Sequence, residues 1–263
     1  MKSRKTAPTD RASSTSKPDM SPPIDIDGSE IQRATIDGED VSEITIDGQQ
    51  TAGFVDIPDS GITRYTYDDE DIAGGTLSDV WGGNDASLVG DATSANNGTA
   101  LDFDGVDDEA AATIPTGTEY SVYTRARVDS TNFNIAIWSF DSSISRAGFK
   151  NTLRVEPGPT LIFGHFEDND GTFYRTTASV STGTFVDTVA TIAEGGEMRL
   201  YIGDTQDDST SVAQLDDSAD QYHSAFEAQQ GFGDVTLEEQ RFYNKQLTDS
   251  EVASLVNNGS ISG

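Results

Sequence analysis

Leu237-Glu-Glu-Gln-Arg-Phe-Tyr-Asn-Lys-Gln-Leu-Thr-Asp-Ser-Glu251-Val, residues 237–252, decides how the rest of the chain is read. Its first half reads as a strand, on which the adjacent Glu238 and Glu239 point to opposite faces. Its second half opens a helix. Thr248 and Glu251 stand three apart as a capping box, each side chain positioned to take the other's exposed N–H. Val252, Leu255 and Val256 then share one helical face, and Asn257-Asn-Gly259 supplies the stop. A strand closed by a short capped helix therefore ends the chain.

Working back from that stretch, the sequence from Tyr65 onward is a series of short strands divided by Gly, Asp and Asn turns, the pattern of a sandwich. Tyr120-Ser-Val122-Tyr-Thr-Arg-Ala126-Arg-Val128 alternates, with Arg125 and Arg127 on the wet face. Phe133, Ile135 and Ile137 continue the alternation in the next strand. Trp138 lies opposite in phase to them and with Phe140 covers the second sheet face, where a packing role outweighs a ligand role. Leu161–Phe166 and Phe173–Thr177 flank Glu167–Gly171 as a hairpin, and Met198-Arg-Leu200-Tyr-Ile202 is another half-buried strand.

Three stretches, in order, resemble a laminin-G-like, concanavalin A-like jelly roll. The first is Asp79-Val-Trp-Gly-Gly-Asn84-Asp-Ala-Ser-Leu88, followed by Gly98-Thr-Ala-Leu-Asp-Phe-Asp-Gly105. The second is the hairpin from Phe185 to Ile202, which ends Leu-Tyr-Ile-Gly-Asp where the family has Leu-Tyr-Val-Asp-Gly, and which carries Asp187-Thr188 in place of a His-Val pair. The third is residues 237–252. The resemblance covers roughly residues 63–263. It implies an all-β fold: a two-sheet antiparallel sandwich with a short C-terminal helix. It also implies a Ca²⁺ at a loop edge, held through Asp68 and Asp79, since hard oxygen ligands suit that ion. Asp168-Asn-Asp170-Gly171 is a partial acidic calcium loop, but it lacks the later bidentate Glu, and a plain hairpin turn is the better reading.

Ahead of this domain the triplet Ile-Asp-Gly recurs at 26–28, 36–38 and 46–48. Aligned on it, Ile24, Ala34 and Ile44 coincide, as do Ile26, Ile36 and Ile46, and Ile31 with Val41. Apolar residues two apart form a strand face, and Asp-Gly fits a two-residue hairpin turn. An arm over 24–58 cannot bury enough surface to stand alone. Its apolar positions (Ile24, Ile26, Ile31, Ile36, Val41, Ile44 and Ile46) are therefore expected to dock on neighbours, including further copies in a homo-oligomer. Residues 1–23 are polar, with four prolines, and read as an extended basic tail.

Forty-six acidic residues face sixteen basic ones, for a formal charge of −30, and only Lys150 and Lys245 remain as lysines past position 24. Such a chain repels itself in dilute buffer, while at molar salt the Debye length falls to about 3 Å. The composition reads as salt-adapted, with an acidic mesophilic secreted protein as the other reading. A basic face for nucleic acid is excluded, as are disulfides, since cysteine is absent. No apolar run is long enough for membrane insertion, and the first residues lack the apolar core of a secretory signal.

No Glu-x-Asp-x-x-Glu strand places paired carboxylates, and the two histidines are far apart, so binding rather than catalysis is expected. Trp81, in a Gly-rich loop, is either a platform for a sugar ring or a loop plug. The Ile-Thr-Ile-Asp-Gly repeat ahead of an acidic domain resembles virion proteins of tailed viruses of haloarchaea. That likeness implies a particle-surface protein, as capsid decoration or tail fibre. Residues 1–58 would meet other virion proteins, and the jelly roll would face host surface glycans. The alternative is a secreted adhesion protein of a halophile.

Overall fold

Alternating inward and outward side chains, interrupted at Gly, Asn and Asp turns, fold residues 61–258 into two antiparallel sheets laid face to face. The computed structural model describes residues 61–129, 134–141, 151–166, 172–212, 215, 221–227 and 231–258, together with the backbone of short strands between 35 and 53. The chain divides into two compact units, Met1–Ala52 and Gly53–Gly263.

The principal strands of the second unit are β1 (Gly61–Tyr65), β2 (Ala86–Val89), β3 (Thr93–Ala95), β4 (Ala100–Asp104), β5 (Glu109–Thr113), β6 (Glu119–Val128) and β7 (Ile135–Asp141). They continue as β8 (Asn151–Glu156), β9 (Thr160–Phe166), β10 (Phe173–Ser179), β11 (Phe185–Ala193), β12 (Glu197–Ile202), β13 (Thr205–Ser211), β14 (Gln221–Ser224) and β15 (Asp234–Tyr243). The helix α1 spans Asp249–Asn258. One eight-stranded sheet runs β13-β12-β11-β6-β15-β4-β3, with β1 also paired to β15. The nine-stranded sheet runs β10-β9-β8-β7-β14-β5-β2 and ends in the small hairpin Ile72–Ala73/Thr76–Leu77.

The core between the sheets joins Val122, Ile192, Leu200, Val235, Leu237 and Phe242 from one side to Trp138, Phe140, Leu153, Phe163 and Tyr222 from the other. Each large apolar side chain so buried contributes about 1.5–3 kcal/mol. Phe140 meets Tyr222 at 5.3 Å and Phe242 at 6.2 Å between ring centroids. Strict alternation assigns Trp138 to the face opposite Ile135 and Ile137, yet all three share one core cluster. A register shift between Ala136 and Trp138 inserts the irregularity that turns Trp138 inward. Phe133 lies outside the described residues.

The expected capping box forms. Thr248 N–H donates to Glu251 Oε2 at 2.9 Å, and Glu251 N–H donates to Thr248 Oγ1 at 3.3 Å. Below it, Val252 and Leu255 pack with Leu247 on Tyr123, Val189, Tyr201 and Tyr243. The helix thus covers part of the outer face of the eight-stranded sheet. Tyr123 and Ser121, on the face the alternation marks as wet, are buried.

Both sheets have edges closed by aspartate. On β1, Arg64 N–H donates to Asp79 Oδ1 at 2.9 Å, and Arg64 O accepts Val80 N–H at 2.8 Å. On β10, Thr177 N–H donates to Asp208 Oδ2 of β13 at 2.9 Å. Such contacts spend backbone groups that would otherwise pair with another chain.

In the first unit, Thr35–Ile36 pairs with Glu39–Asp40, and Glu43–Ile46 with Gln49–Gly53. Each pair brackets an Asp-Gly of the repeat, as a two-residue hairpin requires. Ile36, Ile44 and Ile46 sit in these strands. Ile24, Ile26, Ile31 and Val41 lie outside the described residues.

Candidate functional site

Away from the helix, the outer face of the eight-stranded sheet carries a lattice of opposite charges. Register places Arg125 of β6 opposite Asp187 of β11 on one side and Glu239 of β15 on the other. Arg241 of β15 stands opposite Tyr123 of β6 and Arg64 of β1. Every second residue of a strand faces one way, so these side chains meet in rows. A bulge opposite Arg125 and Ala126 brings Glu238 to the same face as Glu239, against the strict alternation that sets adjacent residues on opposite faces.

One row is half-exposed. Arg125 Nη1 donates to both oxygens of Asp187 at 3.1 and 2.9 Å, and its Nε donates to Glu238 Oε2 at 2.7 Å. Burial alone would lower the Arg125 pKa, but the carboxylates of Glu238 and Asp187 overcome it and hold the guanidinium above its ordinary value. Beside this row the Phe185 ring lies between the guanidinium groups of Arg125 and Arg127, at 5.6 and 5.5 Å. Arg127 also binds Asp129 and donates to Thr236 Oγ1 at 3.0 Å, and Thr236 Oγ1 in turn donates to Asp102.

The second row is buried. Glu239 Oε1 accepts from Arg64 Nε at 2.6 Å and from Arg241 Nε at 2.7 Å, with side-chain exposures of 7% for Glu239 and 5% for Arg241. The two rows join at Tyr123, whose hydroxyl donates to Asp187 at 2.7 Å and whose ring lies 5.5 Å from the Arg241 guanidinium. Burial, followed by the charge of Asp187, raises the Tyr123 pKa. Burial likewise pushes the neighbouring Tyr243 up to about 12, against the pull of Arg241.

A different chemistry occupies the turns after β2 and β4. Asp91, Asp104 and Asp108 bring carboxylate oxygens within 4.8 Å of one another. Asp108 is buried. It accepts Asp91 N–H at 2.7 Å and Asp104 N–H at 3.0 Å, and so ties the two turns together. Gly90 makes this possible. Its φ is +88°, and a Cβ there would stand 2.2 Å from Asp108 Oδ1. At the same end burial raises the Asp234 pKa, as do Asp129, Asp102 and Asp104. Oxygen donors at this spacing are those a hard cation such as Ca²⁺ takes.

Asp68 and Asp79 do not enter that trio. Asp79 is buried, and its carboxylate accepts N–H groups of Arg64, Trp81 and Asn84 at 2.9, 3.0 and 3.2 Å. Asp68 precedes the short turn Asp69–Asp71, and burial together with Asp71 raises its pKa. Asp168 and Asp170 lie outside the described residues. Trp81 is half-buried, 5.8 Å from Tyr243 between centroids, and its ring lies where any Cβ on Gly61 would fall, 1.7 Å away.

Sequence reading reaches Arg125 and Arg127 as outward residues but not their partners, because Asp187 and Glu238 become neighbours only through strand order. It misses Asp91, Asp104 and Asp108, for which the Asp104-Gly-Val-Asp-Asp108 turn is the available signal.

No family model and no curated protein matches the chain in sequence. Solved structures do. The receptor-binding domain of the botulinum neurotoxin C/D mosaic serotype superposes with a TM-score of 0.62 at 14% identity, covering 78% of this chain and 52% of that one. The type G receptor-binding domain gives 0.60 at 15%, covering 76% and 52%. A Trypanosoma rangeli sialidase in complex with sialic acid gives 0.64 at 13%, covering 85% and 36%. The chain spans about half the length of those toxin domains. The likeness is one of fold: a two-sheet antiparallel β-sandwich.

Proposed function

We propose that this chain is a non-catalytic attachment protein on the surface of a virus particle infecting a halophilic archaeon. The sandwich binds host-surface glycan, and residues 1–58 anchor it to other virion proteins and to further copies of itself. The observation that carries glycan binding is the half-exposed row of Asp187, Arg125 and Glu238 beside Phe185. Sugar hydroxyls both donate and accept, and alternating carboxylates and guanidinia offer both kinds of partner on one surface. Structural neighbours give support, since they include toxin receptor-binding domains and a toxin whose cell entry depends on two ganglioside molecules. Weak single sites suffice when many copies act together.

The charge of −30 supports a particle that works in brine, and the Ile-Asp-Gly repeat supports an arm that completes its fold on neighbours. Deleting residues 1–50 is expected to abolish incorporation into particles and to leave a folded sandwich that still binds cell-surface glycan. Normal incorporation of the truncated chain refutes the anchoring role. Unchanged glycan binding by an Arg125→Ala variant refutes the assignment of the face.

A further inference from the structure

We infer that the sheet face selects an uncharged, extended glycan chain over an acidic one. The inference rests on the glycan reading and adds the chemical class of the ligand. Three guanidinia, those of Arg64, Arg125 and Arg241, stand against three carboxylates, those of Asp187, Glu238 and Glu239. The lattice is neutral inside a chain of charge −30.

Each of these guanidinia already holds a carboxylate at 2.6–2.9 Å. A uronate or sulfate reaching Arg125 either displaces one of these carboxylates, which stays half-buried without its cation, or settles on Nη2 beside Asp187 and Glu238, where like charges face it. Leaving such a charge uncompensated is costly, and like charges across an interface repel. A neutral sugar displaces nothing. Its hydroxyls use the capacity that remains: Arg125 spends Nε and Nη1 on its carboxylates, its Nη2 is outside those bonds, and each carboxylate oxygen has more than one lone pair.

Shape selects for length. The row of Asp187, Arg125 and Glu238 lies on a sheet surface, with side-chain exposures of 22–30%. The narrow slot between the sheets, lined by Ala126, Val128, Ile137, Val155 and Leu161, is apolar and has room for about one water molecule. Recognition therefore spreads over several sugars laid across β11, β6 and β15, instead of enclosing one terminal residue. The sialidase that holds sialic acid marks the contrasting case.

Calorimetry on the full-length protein tests this with neutral hexasaccharides (manno-, gluco- and galacto-series) against oligogalacturonate of the same length. Measurements at low salt and at about 1 M salt, where the Debye length is about 3 Å, remove long-range repulsion as the cause. At least one neutral series is expected to bind tenfold or more tightly than the uronate in both buffers, and tenfold or more tightly than its own monosaccharide. Glu238→Gln leaves Arg125 with one carboxylate fewer and is expected to narrow the neutral preference at least threefold. Asp187→Asn serves the same purpose if the first variant folds poorly. Tighter binding of the uronate, or equal binding of monosaccharide and hexasaccharide, overturns the neutral-chain inference and leaves the glycan reading standing. Failure of every sugar to bind overturns both.

Discussion

The sheet face and the β2/β4 turns manage acid in opposite ways. On the face, every carboxylate of the lattice has a guanidinium within 3 Å, and the most buried acid, Glu239, has two. At the turns, Asp91, Asp104 and Asp108 meet one another and backbone N–H groups, and Asp102 and Asp234 crowd beside them, while Asp129 next to Asp234 is paired with Arg127. The lesson is that a net charge of −30 is not spread evenly: guanidinia gather on the sheet face, where each lattice acid is paired, and acids accumulate at loop ends.

The sharpest way to break this contrast is Glu239→Leu. It leaves Arg241 and Arg64 without their shared acid, and a loss of about 3 kcal/mol is expected in denaturant unfolding. Gly90→Ala comes next. It forces a side chain into a left-handed backbone position against Asp108, with about 2 kcal/mol lost and the two turns loosened in hydrogen exchange. Glu238→Gln removes one half-exposed partner of Arg125 and is expected to cost no more than about 1 kcal/mol, shrinking at high salt.

Asp234→Asn acts with the reverse sign. It is expected to stabilise the protein by roughly 0.5 kcal/mol at low salt, through relief of like-charge crowding. The Asp234 pKa is raised on folding, so the folded state takes up this proton more readily and gains stability from it as pH falls. The variant should lose that gain in unfolding curves taken from about pH 6 to pH 4. Glu251 is the counterexample. Lys245 and the Thr248 cap hold its pKa low against the effect of burial, so its contribution is present near neutrality and is lost as pH falls.

Local patterns in the sequence reach much of this molecule. The helix is legible because capping and a helical apolar face are short-range signals, and the sandwich because turn residues and alternation recur. The pairings of Thr35–Ile36 with Glu39–Asp40 and of Glu43–Ile46 with Gln49–Gly53 are legible for the same reason. Trp138 is not, because one register shift inverts the phase of everything after it. The charge lattice is hidden by distance along the chain: Arg125 and Glu238 are 113 residues apart, and only the order β11-β6-β15 joins them. Asp79 shows a further limit. Its carboxylate accepts three N–H groups, a role that leaves no mark in a loop sequence rich in aspartate.

The aspartates that seal β1 and β10 have a consequence for life in a crowd. Sandwiches with bare rims, held shoulder to shoulder at high local concentration, zip into fibres. Here Asp79 and Asp208 each take an edge N–H from within the molecule, which leaves fewer edge donors for a neighbouring chain to pair with.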